Sequence, residues 1–401
     1  MPAYSGRFQY LDEGGKAQQP APCEASFDEE TCTLTASSGE PVVFDLGDVD
    51  RASPGTWDIT LDLYTGRRIV LSHFGPAFDR FAAELLEAWR NRTVRCMLLE
   101  DLEEVARFNG VAAGAPAEIR IYGSNLAVLP LGASPVQWRL AEVDAISFDE
   151  ATYQVTILRG AERLPIGKLA KKTEEFVERL RATHEKLRRE AGEVLHRTFP
   201  FLNADRLRRL ASAMPEGRSV RLADLAEIDP KLPDALVARA VDPPLKPYFD
   251  FLLGKTVPGS LMAGFKFVRP DEAGENAEEA GATSEEEPQP LFFWFFFPLA
   301  GKNVAAWEAT TGTGRATYFF RAAAPVEAAI AGLTRGLALV NFRREPVYLP
   351  GESLERQPKF HRYAIGCRKL PDLRTLREAF LGRAIHSSVE EWQQQVSALG
   401  G

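Results

Sequence analysis

Four carboxylates recur at the end of a repeated strand pattern. Residues 41–50 read PVVFDLGDVD and residues 135–144 read PVQWRLAEVD, which places Asp48 and Asp50 in register with Glu142 and Asp144. Paired carboxylates can act as a general acid and base, but neither copy supplies a partner group for that chemistry. Carboxylates beside turns commonly accept bonds from nearby backbone N–H groups. We therefore expect these acids to form turns rather than to catalyse a reaction.

Other combinations that could carry chemistry are weakly supported. The chain has no G-x-S-x-G pattern, and the G-x-G at residues 312–314 lies between two strand-like runs, where it is typical of a hairpin turn. His361 and His386 lie near Cys367, but their spacing is not that of a metal site. We assign no catalytic residue, no cofactor and no metal from the sequence, and we favour a non-enzymatic protein.

The four cysteines form no C-x-x-C pair. Cys23 and Cys32 could face each other across a hairpin, but we favour two buried thiols. Reduced cysteines and an N-terminus without an apolar signal core favour a cytoplasmic protein.

Two stretches could bind a partner. The first holds five arginines within residues 206–221, among them Arg206 and Arg209, which could contact phosphates; we favour a solvated helix face. The second is the aromatic run at residues 291–299, in which Phe292, Trp294 and Phe296 occupy every second position and would share one face of a strand. An exposed face there would form a docking surface, but aromatic residues on both faces favour a central core strand.

Charge does not single out a partner class. The formal net charge of the 401 residues is -8, and residues 271–287 hold eight acids and no base. The rest of the chain is close to neutral, so nothing favours nucleic acid or an anionic membrane. No hydrophobic stretch is long enough to span a bilayer. The composition of residues 270–290 is typical of a disordered loop.

The pattern of elements predicts an α+β protein with an internal duplication. Residues 1–95 and 115–196 each read as β-strands closed by one amphipathic helix. Residues 197–256 read as a helical connector. Residues 257–401 read as a C-terminal α+β domain with an antiparallel sheet, interrupted by the acidic loop.

The repeated unit resembles pleckstrin-homology-like (PH-like) and bacterial GRAM-type domains. The resemblance lies in the P-V-x-[F/W]-x-L-x-[D/E]-V-D pattern, followed by a hairpin and a helix. It implies two β-barrel or sandwich units, each closed by a helix, and it implies binding rather than chemistry. Phosphoinositide-binding members carry several basic residues in the first hairpin, whereas this connection offers only Lys16. The resemblance therefore disfavours phosphoinositide binding.

These observations favour a scaffold or adaptor that binds an unidentified protein. One alternative is a nucleic-acid or chromatin-type binder that uses residues 206–221. Another is an enzyme with its active site in the C-terminal domain.

Overall fold

Seven antiparallel strands and one helix form each of the two repeats in this computed structural model. The structure describes residues 3–11, 17–36, 40–267, 291–310 and 316–399. Lys16, the acidic run at 271–287, the whole of the predicted disordered loop at 270–290 and the G-x-G at 312–314 lie outside these residues. The chain forms two compact units. The first unit contains Met1–His184 and Pro350–Pro371, and the second contains Glu185–Leu349 and Asp372–Gly401.

The first repeat is an antiparallel sheet closed by a helix. Its strands are β1 (Ala3–Leu11), β2 (Ala21–Phe27), β3 (Thr31–Ala36), β4 (Val42–Asp45), β5 (Val49–Pro54), β6 (Asp58–Leu63) and β7 (Arg68–Ser72), in the order β4-β3-β2-β1-β7-β6-β5. Helix α1 (Phe78–Cys96) follows the 3-10 turn Gly75–Ala77. Its residues Phe81, Leu85 and Trp89 recur at helical spacing and are fully buried in the core of the sheet.

The second repeat has the same strand order. Its strands are β8 (Glu104–Ala112), β9 (Ala115–Tyr122), β10 (Asn125–Pro130), β11 (Val136–Arg139), β12 (Ala145–Asp149), β13 (Gln154–Arg159) and β14 (Glu162–Gly167), in the order β11-β10-β9-β8-β14-β13-β12. Helix α2 (Thr173–Thr198) follows them. Neither seven-stranded sheet closes into a barrel, and the two edge strands of each sheet are joined by a 3-10 turn.

The repeated motif differs from the single strand that its alternation predicts. In the first copy, β4 ends at Asp45, the 3-10 turn Leu46–Asp48 follows, and β5 begins at Val49. Asp45 Oδ1 accepts a hydrogen bond from the Gly47 N–H at 2.6 Å, which stabilises the turn. The second copy also has a 3-10 turn, Leu140–Glu142, between two strands, but the Arg139 side chain does not cap it and β12 begins at Ala145. The motif is therefore a corner between two strands.

Three local sequence patterns predict features that differ in the structure. The alternation over residues 57–63 predicts Trp57 on the inner face with Ile59, but Trp57 precedes β6 and is 65% exposed. The prolines of residues 346–358 predict a loop, yet the helices Glu345–Tyr348 and Gly351–Arg356 lie in this part of the chain. Ser387 and Glu390 predict a capping box, but the Ser388 hydroxyl accepts the hydrogen bond from the Glu391 N–H instead.

The second unit is built on a six-stranded antiparallel sheet. Its strands are β15 (Val220–Arg221), β16 (Met262–Phe267), β17 (Leu291–Pro298), β18 (Val304–Ala309), β19 (Ala316–Arg321) and β20 (Phe380–Ile385), paired in that order. The strand β17 is central, and its residues from Phe293 onward are buried, as a strand covered on both faces requires.

Helices surround this sheet in the second unit. They are α3 (Ala204–Ala213), α4 (Leu222–Leu225), α5 (Leu232–Ala240), α6 (Lys246–Lys255), α7 (Val326–Leu339), α8 (Glu345–Tyr348), α11 (Pro371–Ala379) and α12 (Val389–Leu399). Asn203 caps α3 as predicted, because its side-chain oxygen accepts a hydrogen bond from the Arg206 N–H at 2.9 Å. The predicted α+β fold class is confirmed, and the predicted domain limits stay predictions.

A helical hairpin between these elements belongs to the first unit. It consists of α9 (Gly351–Arg356) and α10 (Pro358–Lys369). The sequence pattern did not single out α10, whose ion pairs with Glu100 and Asp48 join it to residues more than 250 positions earlier in the chain.

The buried thiols give a prediction on reactivity. Burial raises the pKa of Cys32 and of Cys96 to about 12, and both side chains are fully buried. Cys367 is only half-buried. At about pH 8 we expect a thiol reagent to modify Cys367 in the native protein and to reach Cys32 and Cys96 only on unfolding, because the thiolate is the reacting form. Peptide mapping after native and denatured labelling would check this. Native labelling of Cys32 at the rate of Cys367 would contradict it.

Candidate functional site

A groove of about 890 Å³ lies in the first unit, where the helix of the first repeat faces the sheet of the second. One wall is the outer face of α1. The other wall comes from the segment that follows α1 and from β8 and β9, and the turn between β2 and β3 closes one side. The lining is mostly apolar. The volume is in the range of ligand and peptide sites.

The sequence of α1 builds this wall because the helix has two different faces. Phe81, Leu85 and Trp89 point into the first repeat. The opposite face turns small and polar side chains to the groove, and these residues are Ala83, Glu84, Glu87, Ala88, Asn91, Val94 and Arg95. Alanine at two of these positions leaves room for another chain to approach the helix. The sequence pattern of α1 predicts its inner face. It does not predict the groove on the outer face, because the second wall of the groove comes from the other repeat.

A network of charged residues joins the two repeats beside the groove. Arg120 of β9 is buried, and its Nε donates to Glu118 at 2.6 Å while its Nη2 donates to Asn91 of α1 at 2.9 Å. Arg90 of α1 lies 3.7 Å from Glu118, and Arg107 of β8 donates to Glu87 of α1 at 3.0 Å. Buried charges are retained only where they are paired, so this network holds α1 against the second sheet.

The groove walls are acidic. The six carboxylates that line it are Asp28, Glu29, Glu84, Glu87, Glu100 and Glu104, against the guanidinium groups of Arg95 and Arg120. Several of these acids also have partners outside the walls, namely Arg80, Arg107 and Arg362. With those three included, six carboxylates face five guanidinium groups, so the groove keeps a small excess of negative charge.

The strand-end acids of the first repeat bind α10. Arg368 donates to Asp48 Oδ1 at 2.5 Å, and its guanidinium lies 3.9 Å from the centre of the Tyr64 ring. Lys369 is buried, donates to the Val49 carbonyl at 2.7 Å, and lies 3.8 Å from Asp50. Burial lowers the pKa of Lys369. Asp48 and Asp50 therefore hold a distant helix, which differs from the expected turn chemistry.

In the second repeat, the equivalent acids Glu142 and Asp144 are paired by residues of the same repeat. Arg159 lies 3.5 Å from Glu142, and its guanidinium lies 4.6 Å from the centre of the Trp138 ring. Asp144 accepts a hydrogen bond from the Gly160 N–H at 2.6 Å, which confirms the turn role for this residue. Strand pairing places Arg159 in register with Leu63, because Ala145 pairs with Leu158 and its counterpart Arg51 pairs with Asp62. The apolar Leu63 side chain cannot make that contact. The first repeat thus receives from α10 the cation that the second repeat carries itself.

The predicted arginine cluster contacts protein groups. Arg206 pairs with Asp229 at 2.6 Å, and Arg209 donates to the Glu227 carbonyl at 3.1 Å. Arg221 pairs with Asp224 at 2.7 Å. The guanidinium groups of these three residues are therefore directed to neighbours within the second unit, and the geometry gives no specific support to phosphate binding.

The predicted aromatic docking residues lie in or beside the core of the second unit. Trp294 and Phe296 are fully buried, and Phe292 is partly buried. Trp294 Nε1 donates to the Ser219 hydroxyl at 2.8 Å, and its ring centre lies 4.2 Å from that of Phe342. This burial agrees with the core interpretation of the sequence.

A buried polar cluster surrounds Glu308 in the second unit. Its Oε2 accepts a hydrogen bond from Thr317 Oγ1 at 2.5 Å and lies 3.3 Å from His386 Nε2. The Tyr248 ring stacks on His386 with 4.2 Å between ring centres, and Trp392 Nε1 donates to Thr317. Burial raises the pKa of Glu308, whose side chain is fully enclosed. An acid and a histidine could exchange a proton, but the enclosed carboxylate favours a structural role.

Glu308 gives a prediction on pH dependence. A folded-state pKa above the ordinary 4.5 favours the protonated acid in the fold. The corresponding stability is fully present below about pH 4.5 and is lost as the pH rises through the folded-state pKa. At about pH 4 we expect Glu308→Gln to be as stable as the native protein. At about pH 8 we expect the variant to unfold at a higher denaturant concentration than the native protein. Denaturation series at both pH values would check this, and an equal offset at both would contradict it.

Of the described residues, no helix combines the length and apolarity needed to cross a bilayer, and no cluster of three or more His, Cys, Asp or Glu side chains could hold a metal ion. No model of a known protein family matches the chain, and no curated protein shows significant similarity to it.

Proposed function

We propose that this protein is a non-enzymatic adaptor whose first unit binds a segment of another protein in the groove between α1 and the second β-sheet. The single observation that carries the proposal is that groove, which is about 890 Å³ in volume, mostly apolar and open along a helix face. Apolar clefts of this size with a few polar groups are typical of binding sites. We also propose that the protein acts in the cytoplasm.

The PH-like assignment of the repeats belongs to the same proposal. The shared strand order and the closing helix support it, as do the two corners formed by the repeated motif. A PH-like scaffold would supply binding surfaces without catalytic groups. The groove lies outside either repeat taken alone, because α1 belongs to the first and β8 and β9 to the second.

A site-directed photocrosslinker tests the proposal. Ala83 is exposed on the groove face of α1, and Glu174 is exposed on α2, away from the groove-lining residues. We expect a benzophenone amino acid at position 83 to crosslink one discrete protein in cell extract. The same group at position 174 should not crosslink it.

A blocking variant makes the result specific. Ala88→Trp places a large ring in the groove, and it should abolish the position-83 crosslink while the circular dichroism spectrum and melting temperature are retained. Identical crosslinks from positions 83 and 174, or crosslinks insensitive to Ala88→Trp in a folded protein, would rule out the groove as the binding site.

A further inference from the structure

We infer that the occupant of the groove is a basic peptide segment, in which arginine or lysine side chains alternate with apolar ones. This inference rests on the proposed function and names the chemistry of its partner. The groove has an apolar floor and carboxylates on its walls. The apolar side chains of such a segment complement the floor, and its cationic side chains complement the carboxylates.

The positions of the carboxylates support a peptide. Glu84 and Glu87 lie on the α1 wall, Glu29 lies on the β2–β3 turn, and Glu100 and Glu104 lie on the opposite wall. Acids thus stand on several sides of the apolar floor. A chain that lies along the floor can direct cationic side chains to more than one wall at once, which a single small cation cannot do.

The exposed acids are the ones available to a partner. Glu29 retains 76% of its side-chain exposure although it pairs with Arg95, and Glu87 retains 44%. Exposed ion pairs contribute little stability, so a guanidinium or ammonium group of a partner can replace the resident arginine at low cost. The buried Arg120 is held by Glu118 and Asn91 and is not available to be replaced.

The length of the wall sets the length of the segment. The groove residues of α1 run from Ala83 to Arg95, which corresponds to roughly 18 Å at the rise of an α-helix. An extended peptide of about six residues or a helix of about twelve residues covers that distance. We therefore expect recognition of a short linear segment and not of a large folded surface.

Binding of defined peptides tests this inference. The probe is a fluorescein-labelled peptide of about 12 residues composed of leucine, serine and arginine, and its counterpart carries glutamate in place of arginine. Fluorescence anisotropy with the full-length protein should show saturable binding of the arginine peptide only. Its affinity should fall at least about tenfold between about 50 mM and about 500 mM salt, because exposed charges are screened.

Matched variants locate the site. Glu29→Gln with Glu84→Gln removes two groove charges with little change of shape, and Glu84→Gln keeps an acceptor for the Tyr4 hydroxyl. We expect this pair to weaken binding of the arginine peptide by about tenfold. Glu174→Gln with Glu178→Gln removes the same charge from the exposed face of α2 and should leave binding unchanged.

The outcomes separate this inference from the proposed function. Equal loss in both variant pairs, equal binding of the glutamate peptide, or no binding of the arginine peptide would each overturn the basic-segment inference. If the position-83 crosslink still forms in that case, the groove binds a protein of different chemistry and the proposed function stands. If the specific crosslink also fails, both are wrong.

Discussion

Trp294→Ala is expected to lower the free energy of unfolding of the second unit by about 3–5 kcal/mol, the usual cost of truncating a large buried aromatic side chain. The Trp294 ring is fully buried in the central strand β17, and its N–H donates to Ser219. Truncation removes the packing and leaves Ser219 with one partner fewer. Guanidinium denaturation followed by circular dichroism would measure the loss. A loss below about 1 kcal/mol would contradict the central placement of this residue.

Gly264 provides the matched test for this packing. A Cβ at Gly264 would lie 2.3 Å from Cζ2 of the Trp294 ring, which is closer than atoms can approach. Gly264→Ala alone should therefore cost about 1–3 kcal/mol through overpacking. In the Trp294→Ala background the added methyl group enters vacated space, so the same change should cost little. Additive losses in the double variant would show that the two positions do not touch.

Arg120→Met is expected to lower the free energy of unfolding of the first unit by about 3 kcal/mol, since removing one member of a buried ion pair deprives the other of its closest partner. Glu118 and Arg120 are both buried and lie 2.6 Å apart. The change also removes the hydrogen bond from Arg120 to Asn91 of α1. Thermal and chemical denaturation would measure the effect.

The double variant Glu118→Met with Arg120→Met is the control for this prediction. Replacing both charges by apolar side chains of similar size removes the close buried pair as a whole, and such replacements are often neutral. We expect the double variant to recover most of the lost stability. If it is less stable than either single variant, the pair contributes favourably in itself and the desolvation argument fails.

The repeated architecture can be predicted from the amino-acid sequence alone. The duplicated motif, the alternation of apolar residues and the spacing of Phe81, Leu85 and Trp89 in α1 depend on local periodicity, which is visible in a single chain. The same reasoning identified the central aromatic strand, because apolar residues on both faces require cover on both sides. Asn203 as a helix cap was also predictable, since its contact spans only three residues.

The partners of the strand-end acids could be identified from the tertiary structure but not from the sequence. Asp48 and Glu142 occupy equivalent positions in the repeat, yet Asp48 pairs with Arg368 of α10 and Glu142 pairs with the nearby Arg159. The difference follows from the residue in register with Arg159, which is the apolar Leu63 in the first repeat. A contact across 320 positions leaves no periodic signal in the sequence.

The groove was beyond sequence reasoning for the same physical reason. Its walls come from α1 and from strands of the second repeat, and each wall alone reads as an ordinary solvated face. Local sequence sets which residues of α1 point outward, but the packing of the two repeats sets what those residues face. Periodicity therefore determines the elements of this protein, and the contacts of Arg120 and Glu118 with Asn91 and Arg90 of α1 hold the two walls of its candidate binding site together.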